Sequence, residues 1–377
     1  MSKILIIAWG VYPNTGGSTI IVNNIAEGFK KEKVVIAGQI PSTTPTKNWE
    51  SFSDIKLQYL NPFPFNFRRP ERYIRWLKIR TLCKQVKDLV REEGVDRILA
   101  IFPDEYYSYI AYKVSKELNI PFSIWFHNSY LENREGVLKM LAKRLQPRFF
   151  SSAKNVFVMS DGLRDEMKKV YPSVNFQTLV HGFKLSGAQQ IEHSAKSTKV
   201  RFLYSGSLNQ SCMDASLRLL KTIMKNPDYE IVIFSGNPQT FQSHGIIGEN
   251  IIFKSFLPLD EFVAQLYKYD VMLLPHGLEG LRSAFEYKTI FPTRTIPLLF
   301  SGKPILAHSP KGSFLNEFLS RHDCSVLVDE PDEHMIETAI DEILNNEELV
   351  NKIVRNAQKA SKQFKLENVV KKLIEYL

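Results

Sequence analysis

The sequence predicts an α/β protein made of two doubly wound parallel-sheet domains that face each other across a cleft. The chain has 377 residues, which is too long for one hydrophobic core of ordinary size. Short apolar, β-branched runs alternate with longer helical patterns, as in right-handed βαβ units. This alternation stops at a polar segment in the middle of the chain and then starts again, which indicates a second domain of the same class.

The apolar runs predict short buried strands, and the amphipathic stretches between them predict helices. In the first half, strands are expected at residues 3–8, 33–37, 96–102, 122–126 and 156–159, with helices at 19–30 and 106–117. In the second half, strands are expected at residues 200–204, 229–234, 251–253, 271–274, 304–307 and 325–328, with a helix at 260–267. Residues 347–377 read as consecutive charged amphipathic helices.

A polar segment, KLSGAQQIEHSAKSTK at residues 184–199, is the best candidate for the linker between the domains. We therefore expect an N-terminal Rossmann-like domain at residues 1–185 and a C-terminal one at residues 186–360. A last helix at residues 361–377 is expected to cross back to the first domain. Two doubly wound domains bind ligands at the carboxyl ends of their strands, so the cleft between them is the expected site.

Composition limits the functional class. Three cysteines, Cys83, Cys212 and Cys324, are widely separated and support neither a disulfide framework nor a zinc site. We expect a reduced, cytoplasmic protein, because no signal peptide and no apolar run of about 20 residues is apparent. The 49 basic and 40 acidic residues leave a formal net charge of +9, which favours anionic partners.

Basic residues concentrate at residues 67–91, where Tyr73 and Trp76 are interleaved with them. On a helix, one stripe would carry the basic residues Arg80, Lys84, Lys87 and Arg91, and another would carry the core-facing residues Ile79, Leu82, Val86 and Leu89. The stripe is compatible with a solvated helix face. It is also compatible with docking of the segment Arg68 to Arg91 onto anionic lipid headgroups. Nucleic acid is disfavoured, because no nucleic-acid-binding motif accompanies the charge.

The segment YPNTGGST follows the first predicted strand and precedes a helix. Its adjacent glycines, Gly16 and Gly17, allow close approach of the backbone to a ligand and point amides at an anion. The spacing is neither that of a G-x-G-x-x-G motif nor that of a P-loop. A tight turn without a ligand explains the segment equally well.

Two further segments lie at the carboxyl ends of predicted strands, where open α/β sheets bind ligands. In SIWFHNSYLE, His127 directly follows a strand, and a packed, hydrogen-bonded histidine is the alternative reading. In FLYSGSLNQS, Gly206 ends the first strand of the second half, and it too is compatible with a simple turn.

The segment FPTRTIPLLF predicts a helix that starts near Thr295. Pro297 then falls in the first turn, where a missing N–H breaks no helical bond. Thr293 is expected to cap the helix. The free amides of that end, together with Arg294, would form a cradle for a diphosphate. A capped surface helix with a solvated arginine is the alternative.

The order of these segments resembles the GT-B glycosyltransferases, and within them the large retaining family (glycosyltransferase family 4-like, glycosyl transferases group 1). That family includes many bacterial surface-polysaccharide and lipopolysaccharide sugar transferases. The resemblance covers nearly the whole chain. It is carried by the P-x-x-G-G loop at residues 13–17, the post-strand His127, VFVMSDGLRDEM, LVHGF, FLYSGSLN, NIIFKSFLPLDEFVAQLYKYDVMLLP and SGKPILA.

The resemblance implies transfer of a hexosyl group from a UDP- or GDP-linked sugar to a lipid-linked or saccharide acceptor. Retention of anomeric configuration, no metal and no cofactor are expected, and His127 and Arg294 are the expected catalytic residues. The expected donor-binding residues are Gly16, Gly17, Ser205, Gly206, Ser207, Glu279, Glu286, Thr293, Arg294 and Thr295. The expected acceptor-binding residues are Asn14, Thr15, Tyr106, Tyr107 and Asn128.

The chain also departs from the family pattern. The family's pair of glutamates, of which the second holds the ribose, aligns either with Thr289 and Pro297 or, with one residue fewer between them, with Glu279 and Glu286. The family's arginine and lysine, which hold the diphosphate, are absent here. Ser207 and Cys212 are the residues nearest to their positions. We therefore expect Arg294 to neutralise the phosphates, as in family members with F-P-S/T-K here. A non-catalytic nucleotide- or glycan-binding protein and a GT-B sugar-nucleotide epimerase are the alternatives.

Overall fold

The computed structural model describes residues 3–11, 18–29, 34–39, 55–60, 71–184, 199–278 and 284–377. The chain forms two compact units. Unit 1 comprises Met1–Lys184 and Leu366–Leu377, and unit 2 comprises Leu185–Lys365. Several sequence predictions lie outside the described residues: Asn14, Thr15, Gly16, Gly17, Arg68, Glu279 and most of the proposed linker.

Unit 1 contains a parallel sheet of seven strands with the order β3-β2-β1-β4-β5-β6-β7. The strands are β1 Ile4–Gly10, β2 Val34–Gln39, β3 Lys56–Tyr59, β4 Arg97–Phe102, β5 Phe122–Phe126, β6 Asn155–Val158 and β7 Phe176–Thr178. The helices are α1 Ser18–Gly28, α2 Glu71–Ile74, α3 Ile79–Glu93, α4 Glu105–Leu118, α5 Gly136–Ser152 and α6 Asp161–Val170, and α15 Leu366–Tyr376 returns from the end of the chain. Short 3₁₀ helices span Arg75–Lys78 and Leu131–Asn133.

Unit 2 contains a parallel sheet of six strands with the order β10-β9-β8-β11-β12-β13. The strands are β8 Val200–Ser205, β9 Tyr229–Phe234, β10 Ile251–Lys254, β11 Val271–Pro275, β12 Ile305–His308 and β13 Val326–Val328. The helices are α7 Met213–Met224, α8 Pro238–Ser243, α9 Leu259–Val263, α10 Ala284–Thr289, α11 Thr295–Phe300, α12 Phe314–His322, α13 Glu333–Asn345 and α14 Glu347–Ser361, with 3₁₀ turns at Leu266–Lys268 and Lys362–Phe364.

The central strands read as continuous apolar runs because helices cover both faces of each sheet. Every residue of β5 and of β11 is buried. Most predicted strands are confirmed to within two residues at each end. The helix predicted at residues 260–267 is wrong: α9 ends at Val263, and a separate 3₁₀ turn places Leu266 in the core with 0% exposure.

The second half of the basic segment forms α3, and residues 71–78 form α2 and a 3₁₀ helix. Ile79, predicted to face the core, is only half-buried. Leu82, Val86 and Leu89 are buried on α3. Gly94 ends it in the left-handed conformation at φ 62°, where a glycine carries no steric penalty. No helix in the described part of the chain is long and apolar enough to span a bilayer.

The C-terminal helix α15 is part of the core of unit 1. Leu366, Val370 and Leu373 join the cluster of buried apolar side chains that also contains residues of α1. The backbone amide of Leu366 donates to the carbonyl of Phe183 at 2.9 Å. Gly182 allows this close approach, because a Cβ there would lie 3.1 Å from the Leu366 side chain.

We predict that Leu373→Ala lowers the free energy of unfolding by about 2–5 kcal/mol, because it leaves a cavity under α15. Leu373 is 0% exposed. The control is the adjacent Ile374→Ala, since Ile374 is 53% exposed and its truncation should cost within about 0.5 kcal/mol. Denaturant titration of both variants measures the difference. Equal destabilisation by the two substitutions would contradict this packing of α15.

Candidate functional site

The carboxyl ends of β8 and β11 form the switch point of the unit 2 sheet. The chain continues from β8 to β9 on one side, whereas β11 pairs with β8 on the other side and continues to β12. Crevices at such switch points are where open α/β sheets bind ligands. Ser205 ends β8, and Gly206 follows it with φ 117°, a backbone conformation that strongly favours glycine.

Arg294 reaches this edge of the sheet from the start of α11. Its Nη1 donates to the Ser205 carbonyl at 3.2 Å and to the Tyr204 hydroxyl at 3.3 Å. Its guanidinium carbon lies 5.6 Å from the centroid of the Tyr204 ring. A Cβ at Gly206 would lie 3.3 Å from Nη1. The structure therefore brings together three of the predicted donor-binding residues: Ser205, Gly206 and Arg294.

Arg294 has no carboxylate partner within ion-pair distance among the described residues. Burial would lower its pKa, but Tyr204 and Cys212 raise it above the usual value. The group is thus a half-buried, permanent cation. A cation held at a ligand-binding edge without a carboxylate favours an anionic ligand.

The predicted cradle of helix amides is wrong. The amide of Thr295 donates to the Pro292 carbonyl at 2.9 Å, and that of Ile296 donates to the Thr293 carbonyl at 3.2 Å. Pro297 has no N–H to offer. Thr293 is exposed, and the residue at the cap position is Arg294, which makes no side-chain capping bond. The side chain of Arg294, and not the end of α11, therefore supplies the positive charge.

Thr295 is 0% exposed, and its hydroxyl has no hydrogen-bond partner in the described part of the chain. Its predicted role as a donor ligand through the amide is excluded by the bond to Pro292. Ser207 is exposed and stays a predicted donor residue. Glu286 is buried on α10, and a role for it at the ribose also stays a prediction.

The positive charge of Arg294 helps to lower the pKa values of two neighbouring side chains, Cys212 and His276. Burial would raise the pKa of the Cys212 thiol, but the guanidinium together with hydrogen bonding to Asn209 and Ser216 leaves that pKa below its usual value. His276 follows β11 and is 1% exposed. Burial, opposed by its bond to the Tyr287 carbonyl and assisted by Arg294, lowers the pKa of His276 to about 4. His276 is therefore neutral at physiological pH.

Sequence reasoning missed the polar groups that hold the loop after β11. The Asp214 carboxylate on α7 accepts the amide of Leu278 at 2.8 Å. The amide of Gly277 donates to the Ser211 carbonyl at 2.8 Å. A Cβ at Gly277 would lie 2.8 Å from Asp214 Oδ1, so only glycine fits. The signal in the sequence was Pro-His-Gly directly after a strand.

A second missed pair lies at the end of β12. His308 Nδ1 donates to the Val328 carbonyl at 2.9 Å, which leaves Nε2 as the acceptor from Arg218 Nη1 at 3.0 Å. Burial lowers the pKa of His308. This neutral histidine thus fixes the direction of the Arg218 guanidinium near the same edge of the sheet.

In unit 1, His127 follows β5 as predicted and is 4% exposed. Its ring centroid lies 4.9 Å from that of Trp125 and 4.7 Å from that of His181, which sequence reasoning did not select. Neither ring nitrogen of His127 has a hydrogen-bond partner among the described residues, nor has His181 Nε2. Burial and then His181 hold the pKa of His127 well below its usual range. Both imidazoles are therefore neutral, and among the described residues His127 lacks a partner at both ring nitrogens and His181 at Nε2.

The predicted role of Tyr106 and Tyr107 in acceptor binding is wrong. Both side chains are 0% exposed. The Tyr106 hydroxyl donates to the Arg75 carbonyl at 2.8 Å, and the Tyr107 hydroxyl donates to the Leu60 carbonyl at 2.9 Å. These tyrosines therefore fix the start of α4. Asn128 is exposed beside His127 and stays a predicted acceptor residue.

Solved structures match the chain over its full length. Sucrose-phosphate synthase from Thermosynechococcus elongatus matches with a TM-score of 0.75 and 14% identity, over 100% of this chain and 98% of that one. HepE from Anabaena, in complex with UDP and glucose, matches with a TM-score of 0.69 and 14% identity, over 100% and 99%. WaaG, described as a glycosyltransferase involved in lipopolysaccharide biosynthesis, matches with a TM-score of 0.64 and 13% identity, over 99% of this chain and 98% of that one.

The chain has the GT-B fold. This confirms the predicted fold class of two doubly wound parallel sheets. No protein-family model matches the chain, and no curated protein matches it by sequence. Among the described residues, no group of three or more His, Cys, Asp and Glu side chains is arranged to hold a metal ion.

We predict that the stability of the protein falls as the pH drops below about 6.5, the ordinary histidine pKa. Burial lowers the pKa of His181 to about 3, so the unfolded chain binds a proton that the folded chain rejects. The contribution of each such histidine to the free energy of unfolding is fully present above the histidine pKa of the unfolded chain. It is lost as the pH falls towards the pKa of the folded protein, by up to about 1.4 kcal/mol per pH unit. Melting temperatures across this range measure the slope.

His181→Asn should make this pH dependence shallower, because one of the depressed histidines is removed. The matched control is His334→Asn on α13, since the His334 side chain is 84% exposed and its removal should leave the slope unchanged. An unaltered slope in His181→Asn would show that His181 is not held neutral in the folded protein.

Proposed function

We propose that the protein is a glycosyltransferase that moves a hexosyl group from a nucleotide diphosphate sugar to a saccharide or lipid-linked acceptor. The observation that carries this proposal is the guanidinium of Arg294 beside Ser205 and Gly206, which has no carboxylate partner among the described residues. Departure of the nucleotide leaves negative charge on the diphosphate, and a positioned cation stabilises that charge as it develops. In this reading, unit 2 binds the donor and unit 1 binds the acceptor.

Arg294 stands in for two residues that the chain lacks. In the resembling family, an arginine and a lysine follow the glycine at the end of this strand, whereas this chain has Ser207 and Cys212. Cys212, next to that lysine position, lies within the field of the Arg294 guanidinium, which acts to lower the pKa of its thiol. One arginine from a later segment thus supplies the charge at the place where the family has its own. Its forked donors suit phosphate oxygens.

The proposed reaction needs no protein nucleophile. The acceptor oxygen bonds to the anomeric carbon as the bond from that carbon to the phosphate oxygen breaks. The acceptor proton passes to the leaving phosphate, and the new bond forms on the same face of the sugar, so configuration is retained. The chain contains no Asp-x-Asp sequence, and we propose that Arg294 provides the charge that a metal clamp provides elsewhere.

We propose that His127 binds a sugar hydroxyl. A neutral imidazole has one donor and one acceptor nitrogen, and a hydroxyl offers the complementary pair. Both nitrogens of His127 lack partners among the described residues, at the carboxyl end of β5. The exposed Asn128 next to it, together with Asn14 and Thr15, would contact the acceptor, while Gly16 and Gly17 would contact the donor.

The identities of donor and acceptor rest on the comparisons. HepE is described in complex with UDP and with UDP-glucose, which supports a UDP-linked sugar before a GDP-linked one. WaaG is described as acting in lipopolysaccharide biosynthesis, which supports an acceptor of a surface polysaccharide, presented at the inner face of the cytoplasmic membrane. Glu286 is proposed to bind the ribose, with Glu279 as the alternative residue.

We predict that Arg294→Gln weakens binding of UDP by about tenfold to a hundredfold, because a hydrogen bond to a charged group contributes about 1.5–3 kcal/mol. Calorimetric titration of UDP measures this. Arg294→Lys should restore part of the affinity as a point charge. Arg321→Gln, at an exposed arginine near the end of α12, is the matched control. Unchanged affinity in Arg294→Gln would remove the basis of the proposal.

A non-catalytic binding protein is the second candidate, favoured by the loss of the family's arginine and lysine. Incubation with UDP-sugars separates the two. We predict slow hydrolysis of the donor without an acceptor, and a strong loss of this turnover, about a hundredfold or more, in Arg294→Gln. Binding of UDP without turnover would favour the second candidate. Release of a free sugar epimer would instead indicate the epimerase.

A further inference from the structure

Trp9 stands in solvent at the carboxyl end of β1. Its side chain is 41% exposed, whereas Ala8 before it is 2% exposed and Val11 after it is 0% exposed. Strand β1 pairs with β2 on one side and with β4 on the other, so this end is the switch point of the unit 1 sheet, where open α/β sheets bind ligands. Single exposed apolar residues are ordinary, but this indole lies at a ligand-binding edge.

A β-bulge places Trp9 there. Ala8 pairs with Gly38 of β2, and Gly10 pairs with the next residue, Gln39, so Trp9 is the extra residue of the bulge. Bulges beside ligand sites re-aim a side chain. A Cβ at Gly38 would collide with the carbonyl oxygen of Ala8, so glycine is required opposite the bulge. The exposure of Trp9 therefore follows from the pairing of the strands.

The Trp9 side chain offers an unused aromatic face. No aromatic ring packs on it, and its indole N–H donates to no acceptor in the described part of the chain. An indole combines a flat apolar face with one hydrogen-bond donor. The pyranose ring of a sugar has matching features, because its C–H groups form an apolar face and hydroxyls surround that face.

His127 lies at the same level of the sheet as Trp9. Ala8 pairs with Ile101 of β4, and Ile101 pairs with Trp125 of β5. Trp9 and His127 therefore follow one row of paired residues at the same edge, two strand spacings or about 10 Å apart. A short saccharide can span this gap.

The imidazoles at this edge supply unused hydrogen-bonding groups. Both ring nitrogens of His127, together with His181 Nε2 and Trp125 Nε1, lack partners among the described residues. The three rings form one cluster, with ring centroids 4.7 Å apart for His127 and His181 and 5.9 Å apart for Trp125 and His181. Buried polar groups are normally hydrogen-bonded, so this cluster indicates a polar ligand. Hydroxyls fit it because they both donate and accept.

We propose that Trp9 is the stacking platform for a sugar ring of the acceptor, whose hydroxyls bind His127 and His181. The inference rests on the proposed function, because it names the residue by which unit 1 selects a saccharide acceptor. A nucleotide base also stacks on an indole. A nucleotide would bring phosphate charge, however, and the neutral imidazoles of this cluster do not compensate that charge.

Glycan binding tests the proposal without turnover. The labelled full-length protein is applied to an array of bacterial surface saccharides with and without UDP, and dissociation constants are measured for the saccharides that bind. Trp9→Ala should weaken binding by about tenfold to a hundredfold, because the apolar contact of the indole is lost. Trp9→Phe should keep most of the affinity, since it keeps an aromatic face. The matched control is Phe256→Ala, at an aromatic residue that follows β10 in unit 2 and is 63% exposed.

Fluorescence reports on Trp9 itself. Acrylamide quenches exposed indoles, and the difference between the wild type and Trp9→Phe isolates the signal of Trp9. We expect the bound saccharide to shield Trp9 from acrylamide, and UDP alone to leave it accessible. Shielding by UDP alone would overturn the proposal in favour of a nucleotide base. Melting temperatures establish that each variant is folded.

The proposal fails if the wild type binds no saccharide on the array, if Trp9→Ala binds as tightly as the wild type, or if Phe256→Ala loses as much binding. Donor hydrolysis is measured in parallel. Saccharide binding that depends on Trp9 without any hydrolysis would sink the proposed function and leave the sugar platform. Hydrolysis by the wild type, with saccharide binding that is unchanged in Trp9→Ala, would do the reverse.

Discussion

The constraint on which the unit 2 site depends is the half-buried guanidinium of Arg294, which has no carboxylate beside it in the part of the chain that the structure describes. A partly desolvated charge is costly unless other groups compensate it. Here the Ser205 carbonyl, the Tyr204 hydroxyl and the face of the Tyr204 ring do so only in part. Gly206 leaves room for the Arg294 guanidinium to approach the end of β8. A side chain at that position would be strained and would meet Arg294 at 3.3 Å.

The same constraint disfavours further cations at residues 207 and 212. An arginine near Ser207 and a lysine at Cys212 would place two further cations around Arg294, and like charges in a partly buried site repel strongly. The uncharged residues Ser207 and Cys212 avoid this repulsion.

The sequence predicted the fold because periodicity and burial are local, repeated signals. Arg294 was selected because it stands between turn residues and a short apolar helix, and the structure places it beside Ser205 and Gly206. The supposed amide cradle failed for a tertiary reason: turn bonds to Pro292 and Thr293 already occupy those amides. Tyr106 and Tyr107 were misassigned because an aromatic pair looks alike whether buried or exposed. His181 was missed because 54 residues separate it from His127, and only the order of β5, β6 and β7 brings them together.

Burial assigns different electrostatic roles to histidine and arginine in this protein. Desolvation disfavours the charged form of both, but the ordinary pKa of histidine lies near neutrality and that of arginine far above it. The same physical effect therefore discharges His127, His181 and His276 and leaves Arg294 a cation. Neutral imidazoles suit hydroxyls, which both donate and accept, whereas a fixed cation suits phosphate. The buried strand ends of unit 1 thus carry imidazoles that suit hydroxyls, and the arginine at the strand end of unit 2 suits phosphate.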